Sequence, residues 1–270
     1  MLANPWIAAL LALFLWWFST GVILVAVRVA DQKHTQVQAT LFALPILILG
    51  CLGLWLSLDQ VTPAYALLAF LSAVAIWGWI EMAFLLGVIT GPNRSECPEG
   101  VPGWERFIRA WGTIAYHEIA LVAGLLAFGF VSFGAENSFG FWTFAVLFFA
   151  RISAKLNLFL GVPQINTEFL PDRLSHLPSH FRKARINWLF PVSVTALSFA
   201  VACWLERIYA SSLSGDVTGF ALLAALTALA LFEHWMMVLP LPDEKLWRWM
   251  LPAAKNKTVS PRLNEEAHGL

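Results

Sequence analysis

Charged side chains are scarce in this sequence, since Asp, Glu, Lys and Arg make up 13% of its 270 residues. A soluble domain carries roughly 25% charged residues. The hydrophobic fraction is 59%, and the mean hydropathy is +0.69. The shortage of charge, together with 14 Trp and 21 Phe, indicates a protein whose solvent is largely lipid.

Cysteine is also rare, and the common catalytic motifs are missing. Cys51, Cys97 and Cys203 are odd in number, far apart and without a CxxC pair, which excludes a disulfide framework or a Cys-based zinc site. The sequence has no Walker A, GxGxxG or GxSxG pattern. The formal net charge is zero, so no overall field favours nucleic acid as a partner.

Long apolar runs are what the sequence has in abundance. A helix needs about 20 residues to cross a ~30 Å hydrocarbon core, and lipid requires backbone hydrogen bonds to be satisfied within the segment. Seven runs meet this length and predict an all-α, polytopic membrane helix bundle. They lie near residues 6–27, 40–58, 63–89, 109–134, 139–162, 187–206 and 217–239. We expect the first run to stay as a membrane helix rather than a cleaved signal peptide, and Pro45 to kink the second.

The distribution of basic residues predicts the orientation. Fourteen of the 17 Lys and Arg residues follow the first, third, fifth and seventh runs, whereas the alternate connections hold only Arg207. By the positive-inside rule, this pattern predicts an N-terminus outside and a C-terminus in the cytoplasm. We therefore expect a seven-helix bundle over residues 1–240 and a cytoplasmic tail over 241–270. The tail should contain an interfacial amphipathic segment at 242–251 and a disordered end.

Polar residues inside the predicted membrane helices are the candidates for function, because ionisable groups there are costly and rare. Counted from the sequence, the ionisable ones lie about 6–11 residues from the cytoplasmic ends of four helices, roughly 9–16 Å deep. This common depth predicts one shared polar cluster in the cytoplasmic half. Its members are Glu81, His117, Glu118, Arg151, Lys155, Asn157, Glu233 and His234.

Two interpretations of this cluster remain open. Arg151 and Lys155 share a helix face at i,i+4 spacing, so both can pair with carboxylates of neighbouring helices in a network that fixes helix register. Alternatively, the cluster forms a site for a pigment, a metal or a proton. Adjacent residues point about 100° apart, so the sequence leaves open which member of the His117/Glu118 and Glu233/His234 pairs faces the cluster.

The ligand hypotheses differ in their candidate residues. A di-iron carboxylate site would need Glu-x-x-His motifs, which are absent, but other metal arrangements remain possible. The metal-ligand candidates are Glu81, Glu118, Glu233, His117 and His234. His117 and His234 are also candidate axial ligands for a tetrapyrrole, and small residues near His117 could admit a flat macrocycle.

A second histidine pair lies in a basic connection. His176 and His180 have i,i+4 spacing in the motif HLPSH, but Pro178 between them interrupts a helix. Because four Arg and Lys residues lie nearby, we expect a solvated basic loop that contacts anionic lipid or a partner rather than a metal site.

Three blocks of the sequence together resemble the PuhE family of photosynthetic complex assembly proteins of purple phototrophic bacteria. They are WWFSTG (16–21), RISAKLNLFLGVPQINTEFLP (151–171) and FEHWMMVLPLPDEKLWRW (232–249). The resemblance implies a multi-pass protein of the bacterial cytoplasmic membrane, specifically the intracytoplasmic photosynthetic membrane, encoded among reaction-centre genes. It also implies partners among photosynthetic complex subunits or pigment-biosynthesis enzymes, in addition to the lipid bilayer.

Three functions follow as expectations. The leading one is assistance to assembly of the reaction-centre and light-harvesting apparatus, or modulation of bacteriochlorophyll supply, with (bacterio)chlorophyll or a precursor as a conceivable bound pigment. The second is a metalloenzyme of tetrapyrrole metabolism that uses the Glu/His cluster. The third is a transporter or proton pathway, because intramembrane acids and histidines form relays. The resemblance carries over no catalytic residue.

Overall fold

The computed structural model describes residues 3–165, 167 and 170–240. Within these residues the chain is helical, and its β-structure is an isolated parallel bridge between Val162 and Lys183. The predicted interfacial segment at 242–251 and the rest of the predicted tail lie outside the described residues. The described helices are α1 (Pro5–Lys33), α2 (Gln36–Phe42), α3 (Leu44–Ser57), α4 (Pro63–Leu85), α5 (Gly103–Val131), α6 (Phe139–Leu160), α7 (Leu189–Ala210) and α8 (Ser214–Met236).

Seven of the described helical segments are long and apolar enough to cross a membrane, with α2 and α3 acting together as Gln36–Ser57. The all-α prediction and the predicted number of spans are therefore confirmed. The largest differences in a boundary are at α1, which extends to Lys33 rather than ending near 27, and at α5, which begins at Gly103 rather than near 109. The first two turns of α5 carry Glu105, Arg106 and Arg109, which interrupt the apolar run although they continue the helix.

The second span is broken near its proline. α2 ends at Phe42 and α3 begins at Leu44, with Ala43 between them. Pro45 has no backbone N–H, and its ring would clash with the carbonyl of Leu41 in a continuous helix. The break therefore falls two residues before the proline that causes it.

Helices α4 and α8 form the centre of the bundle. In each of them 56% of the most apolar 18-residue window is buried, compared with 17% in α1 and 11% in α7. Small residues bring α3 close to α4, since a Cβ atom at Gly50 would lie 2.9 Å from Cγ1 of Ile76. α1 and α7 therefore expose most of their apolar surface, as helices facing lipid do.

The longer connections lie at one end of the bundle, here called the basic end, where α1, α4, α6 and α8 finish. The connections 86–102 and 161–188 contact each other there. The backbone N–H of Cys97 donates to Ser179 Oγ at 2.9 Å. At the opposite end, Asn137 Nδ2 donates to the carbonyl of Gln60, which ties two short connections together.

Candidate functional site

Polar side chains of α6 form two stripes on different sides of the helix. Arg151 and Lys155 lie four residues apart, and so do Ser153 and Asn157. Each residue advances an α-helix by about 100°, so the offset of two residues rotates the second stripe by about 200°. α6 therefore presents an ionic face, defined by Arg151 and Lys155, and a neutral face, defined by Ser153 and Asn157.

The ionic face contacts α4 and α5 through two charge pairs. Arg151 Nη2 donates to Glu81 Oε2 at 2.9 Å. The Lys155 ammonium group donates to Glu118 Oε1. The Glu81 and Glu118 side chains are only 13% and 10% exposed. An unpaired charge in such surroundings costs several kcal/mol. Each base avoids this cost by compensating the charge of the carboxylate that it contacts.

His117 lies beside the first of these pairs. Its side chain is fully buried, and its ring packs against Phe84 with centroids 4.4 Å apart. Its Nε2 lies 3.6 Å from Glu81 Oε1, beyond hydrogen-bond distance, and neither ring nitrogen has a hydrogen-bond partner. His117 thus lies beside these pairs without a hydrogen bond to them. We call the five residues together the ionic group: Glu81, His117, Glu118, Arg151 and Lys155.

The neutral face contacts α8 through His234. Nε2 of His234 lies 2.9 Å from Ser153 Oγ, and Nδ1 lies 2.8 Å from the carbonyl of Ala230. The carbonyl can only accept, so Nδ1 carries the proton and Nε2 accepts from the serine hydroxyl. Both ring nitrogens of His234 are therefore occupied by neutral partners.

The same face contacts α7 and the connection before it through Asn157, which is fully buried. Asn157 Nδ2 donates to Ser193 Oγ at 3.0 Å, and Asn157 Oδ1 accepts from Asn187 Nδ2 at 3.0 Å. Asn187 also donates to the carbonyl of Gly161, and its Oδ1 accepts from the N–H of Leu189 at the start of α7. One asparagine pair thus links the end of α6 to the beginning of α7.

A cavity of about 370 Å³ lies between α1, α4, α6 and α8. Its walls are mostly apolar, and its charged groups are Glu81, Arg151 and Glu233. Trp16 Nε1 donates to Glu233 Oε1 at 3.2 Å across the cavity from α1 to α8. Glu233 therefore belongs to neither face of α6 and reaches α1 instead.

The eight residues of the predicted cluster are distributed over three contacts. Five form the ionic group, two belong to the neutral face, and Glu233 pairs with Trp16. Their positions counted from the helix ends differ, because Glu81 lies four residues before the end of α4 whereas His117 lies fourteen after the start of α5. The two side chains are nevertheless adjacent, since α5 begins earlier than the apolar run predicts.

Several contact residues were absent from the predicted cluster: Trp16, Ser153, Asn187 and Ser193. The four-residue spacing of Ser153 and Asn157 could have indicated a polar stripe. Asn187 lies in a connection, where no periodicity operates. Trp16 belongs to an aromatic run, in which no pattern distinguishes its indole from those of its neighbours.

The described residues do not gather the metal-ligand candidates, since no three His, Cys, Asp or Glu side chains among them could hold one ion. Glu81 and Glu118 face bases rather than each other. The tetrapyrrole prediction also fits poorly: His117 is fully buried against Phe84, and His234 uses both ring nitrogens. Two aromatic neighbours of His117 on α5 point outwards, with Trp111 48% and Tyr116 55% exposed.

The histidines of the HLPSH motif are buried, so the expectation of a solvated loop is wrong for them. His176 is 7% and His180 is 2% exposed; His176 precedes and His180 ends the short 3₁₀ helix Leu177–His180, which packs on the 86–102 connection. His180 Nε2 lies 3.2 Å from the carbonyl of Ser95. Burial lowers the pKa of both histidines below its ordinary value, with a smaller contribution from nearby bases. The same connection contributes Leu174 and Leu177 to a buried hydrophobic cluster with Phe84 of α4.

Comparisons with known proteins agree over nearly the whole chain. The model of a family described as a protein of unknown function, DUF3623, matches residues 2–258. An uncharacterized 30.4 kDa protein in the puhA 5′ region of Rhodobacter capsulatus is 54% identical over 255 residues, which covers 94% of this chain and 93% of the relative. No solved structure matches the chain. The chain therefore belongs to the DUF3623 family.

Proposed function

We propose that this protein is a multi-pass membrane factor that assists assembly of the photosynthetic apparatus or modulates bacteriochlorophyll supply. The observation that carries the proposal is the 54% sequence identity, over 94% of this chain, with a protein named for its place in the puhA 5′ region. That name links the relative to a photosynthesis gene region. The proposed location is the intracytoplasmic photosynthetic membrane.

The site geometry supports a scaffold more than a metalloenzyme. The acids of the ionic group are paired with Arg151 and Lys155, so they hold α4, α5 and α6 together. A paired carboxylate is a poorer metal ligand than a free one, because the base competes for its oxygens. The proposal needs no pigment held by His117 or His234.

Exposed apolar helices supply a surface for partners within the membrane. α7 is the least buried of the seven spans, and Val192 and Phe199 on it are 54% and 71% exposed. Photosystem subunits or pigment-biosynthesis enzymes are the proposed occupants of such surfaces. Lipid is the alternative occupant wherever no partner binds.

The proposed orientation has the N-terminus outside and the basic end in the cytoplasm. A membrane-impermeant maleimide tests it on two single-cysteine versions of the full chain, with Cys51, Cys97 and Cys203 replaced by serine. Ser212→Cys in the connection before α8 should react in intact cells. Asn93→Cys in the basic-end connection should react only after lysis. The opposite labelling pattern would overturn the orientation.

Clean deletion of the gene in its phototrophic host tests the function. Membranes of the deletion strain should show lower absorption by reaction-centre and light-harvesting complexes, or altered bacteriochlorophyll content, while the level of ATP synthase stays constant. A plasmid copy of the gene should restore the spectrum. Unchanged complexes and pigment in the deletion strain would contradict the proposal.

A further inference from the structure

The cavity between α1, α4, α6 and α8 has the size of a small-molecule site. Its volume is about 370 Å³, and ligand sites span roughly 300–1,000 Å³ with mostly apolar walls and a few placed polar groups. Trp16 on α1 and Trp77 on α4 contribute aromatic wall, and leucines such as Leu226 and Leu229 on α8 contribute aliphatic wall.

The charges that line this cavity do not balance. Arg151 pairs with Glu81 at 2.9 Å, and that pair is neutral. Glu233 has no basic side chain within ion-pair distance among the described residues, and its hydrogen-bond partner is the neutral indole of Trp16. The three charged side chains of the cavity wall therefore sum to one negative charge, because Arg151 compensates only one of the two carboxylates.

The remaining polar groups of the wall are engaged or neutral. His234 uses both ring nitrogens, and Ser19 Oγ donates to the carbonyl of Trp16. The indole N–H of Trp16 is committed to Glu233, and Thr20 adds one neutral hydroxyl. The cavity thus presents to a ligand the carboxylate of Glu233, surrounded by apolar and aromatic side chains.

We propose that this cavity binds an amphipathic organic cation. The positive group of the ligand compensates Glu233, and its apolar body fills the space beside Trp16 and Trp77. Indole faces also attract cations through the negative face of the ring quadrupole. This inference stands on the geometry of the cavity and does not depend on the role in photosystem assembly.

Benzyltrimethylammonium is a suitable probe, because neopentylbenzene has the same shape without the charge. The full chain is reconstituted in phosphatidylcholine nanodiscs, and binding is measured by equilibrium dialysis against empty nanodiscs. We expect the cation to bind saturably and the uncharged molecule to bind at least about tenfold more weakly. Equal binding of the two, or no saturable binding of the cation, would overturn the proposal.

Four variants assign the binding to Glu233. Glu233→Gln should weaken cation binding at least about tenfold, whereas Glu233→Asp, which keeps the charge, should retain most of it. Glu206→Gln, an exposed acid at the far end of α7, is the matched control and should bind as the original chain does. Ala150→Leu fills the cavity and should abolish cation binding while the charge remains.

Each variant is first checked by size-exclusion chromatography. If Glu233→Gln does not fold, the Glu233→Asp and Ala150→Leu results decide the question. Cation binding that survives cavity filling contradicts the proposal. Labelling of Glu233 by dicyclohexylcarbodiimide, a hydrophobic reagent for protonated carboxyls, that the cation fails to suppress would show that a proton occupies the site instead.

Discussion

The two faces of α6 solve the same problem with different chemistry. The ionic face holds α4 and α5 through Arg151–Glu81 and Lys155–Glu118. The neutral face holds α7 and α8 through Asn157 and Ser153, which contact amide, hydroxyl and imidazole groups. Both faces are polar contacts between membrane helices, but only the first leaves a full charge behind when one partner is lost.

The two kinds of contact depend to different degrees on a specific partner. Loss of one member of a buried ion pair strands a charge, whereas loss of both members together is often nearly neutral. Loss of one interhelical hydrogen bond costs about 0.6 kcal/mol on average, because the freed group often finds another partner. The ionic face should therefore show strong pairwise coupling, and the neutral face weak coupling.

The largest effect is expected at Lys155. Lys155→Met strands the Glu118 carboxylate, which is 10% exposed, and should destabilise the protein by about 3–5 kcal/mol. Equilibrium unfolding in detergent micelles titrated with SDS measures the change. The double variant Glu118→Gln/Lys155→Met should recover most of the loss. A double variant as unstable as the single one would show that the stranded charge of Glu118 is not the cause of the loss.

A smaller effect is expected at Arg151, although it belongs to the same face. Its side chain is 39% exposed, compared with 19% for Lys155, so the Arg151–Glu81 pair is more accessible to solvent than the Lys155–Glu118 pair. We expect a loss of about 1–3 kcal/mol in the same unfolding assay. Arg151→Lys, which keeps the charge, should restore much of it. A loss larger than that of Lys155→Met would contradict the role assigned to burial.

On the neutral face, Asn157→Ala should cost about 1–2 kcal/mol, since it removes bonds to Ser193 and Asn187 without stranding a charge. Ser153→Ala, which removes one bond to His234, is the matched variant and should cost about 0.6 kcal/mol. The same unfolding titration applies. A loss of about 4 kcal/mol at Asn157 would erase the distinction between the faces.

The smallest effect is expected away from α6, at the buried histidines of the basic-end connection. Burial lowers the pKa of His180, so the unfolded chain binds a proton first as the pH falls. Stability should therefore decline from about pH 6.5, the ordinary pKa, down through the lower pKa of the folded state. His180→Gln should flatten this decline, and His34→Asn at the exposed end of α1 should leave it unchanged. A decline that His180→Gln does not alter would place the acid sensitivity elsewhere.

The sequence was sufficient for most of the fold. Apolar length predicts all seven spans, because lipid imposes the same requirement on every residue of a segment. Apolar length does not predict the helix boundaries where charged residues or a proline alter the helix locally. The charged first turns of α5 continue a helix that the apolar run does not reveal, and the break at Ala43 precedes Pro45 because the proline acts on the preceding turn.

The sequence was less informative about the site. The i,i+4 spacing predicts that Arg151 and Lys155 share a face, and the structure has them so. The spacing does not reveal which carboxylate each base contacts, because that depends on the axial positions of α4 and α5 relative to α6. The bond between Asn157 and Asn187 is still less accessible, since it joins a helix to a connection without regular geometry.

A pair of double-mutant cycles tests the central claim most directly, the separation of α6 into an ionic and a neutral face. The within-face cycle combines Glu118→Gln with Lys155→Met, and the cross-face cycle combines Glu118→Gln with Asn157→Ala. We expect a coupling free energy of at least about 2 kcal/mol within the face and additivity to about 0.5 kcal/mol across the helix. Equal couplings in the two cycles would contradict the separation of the two faces.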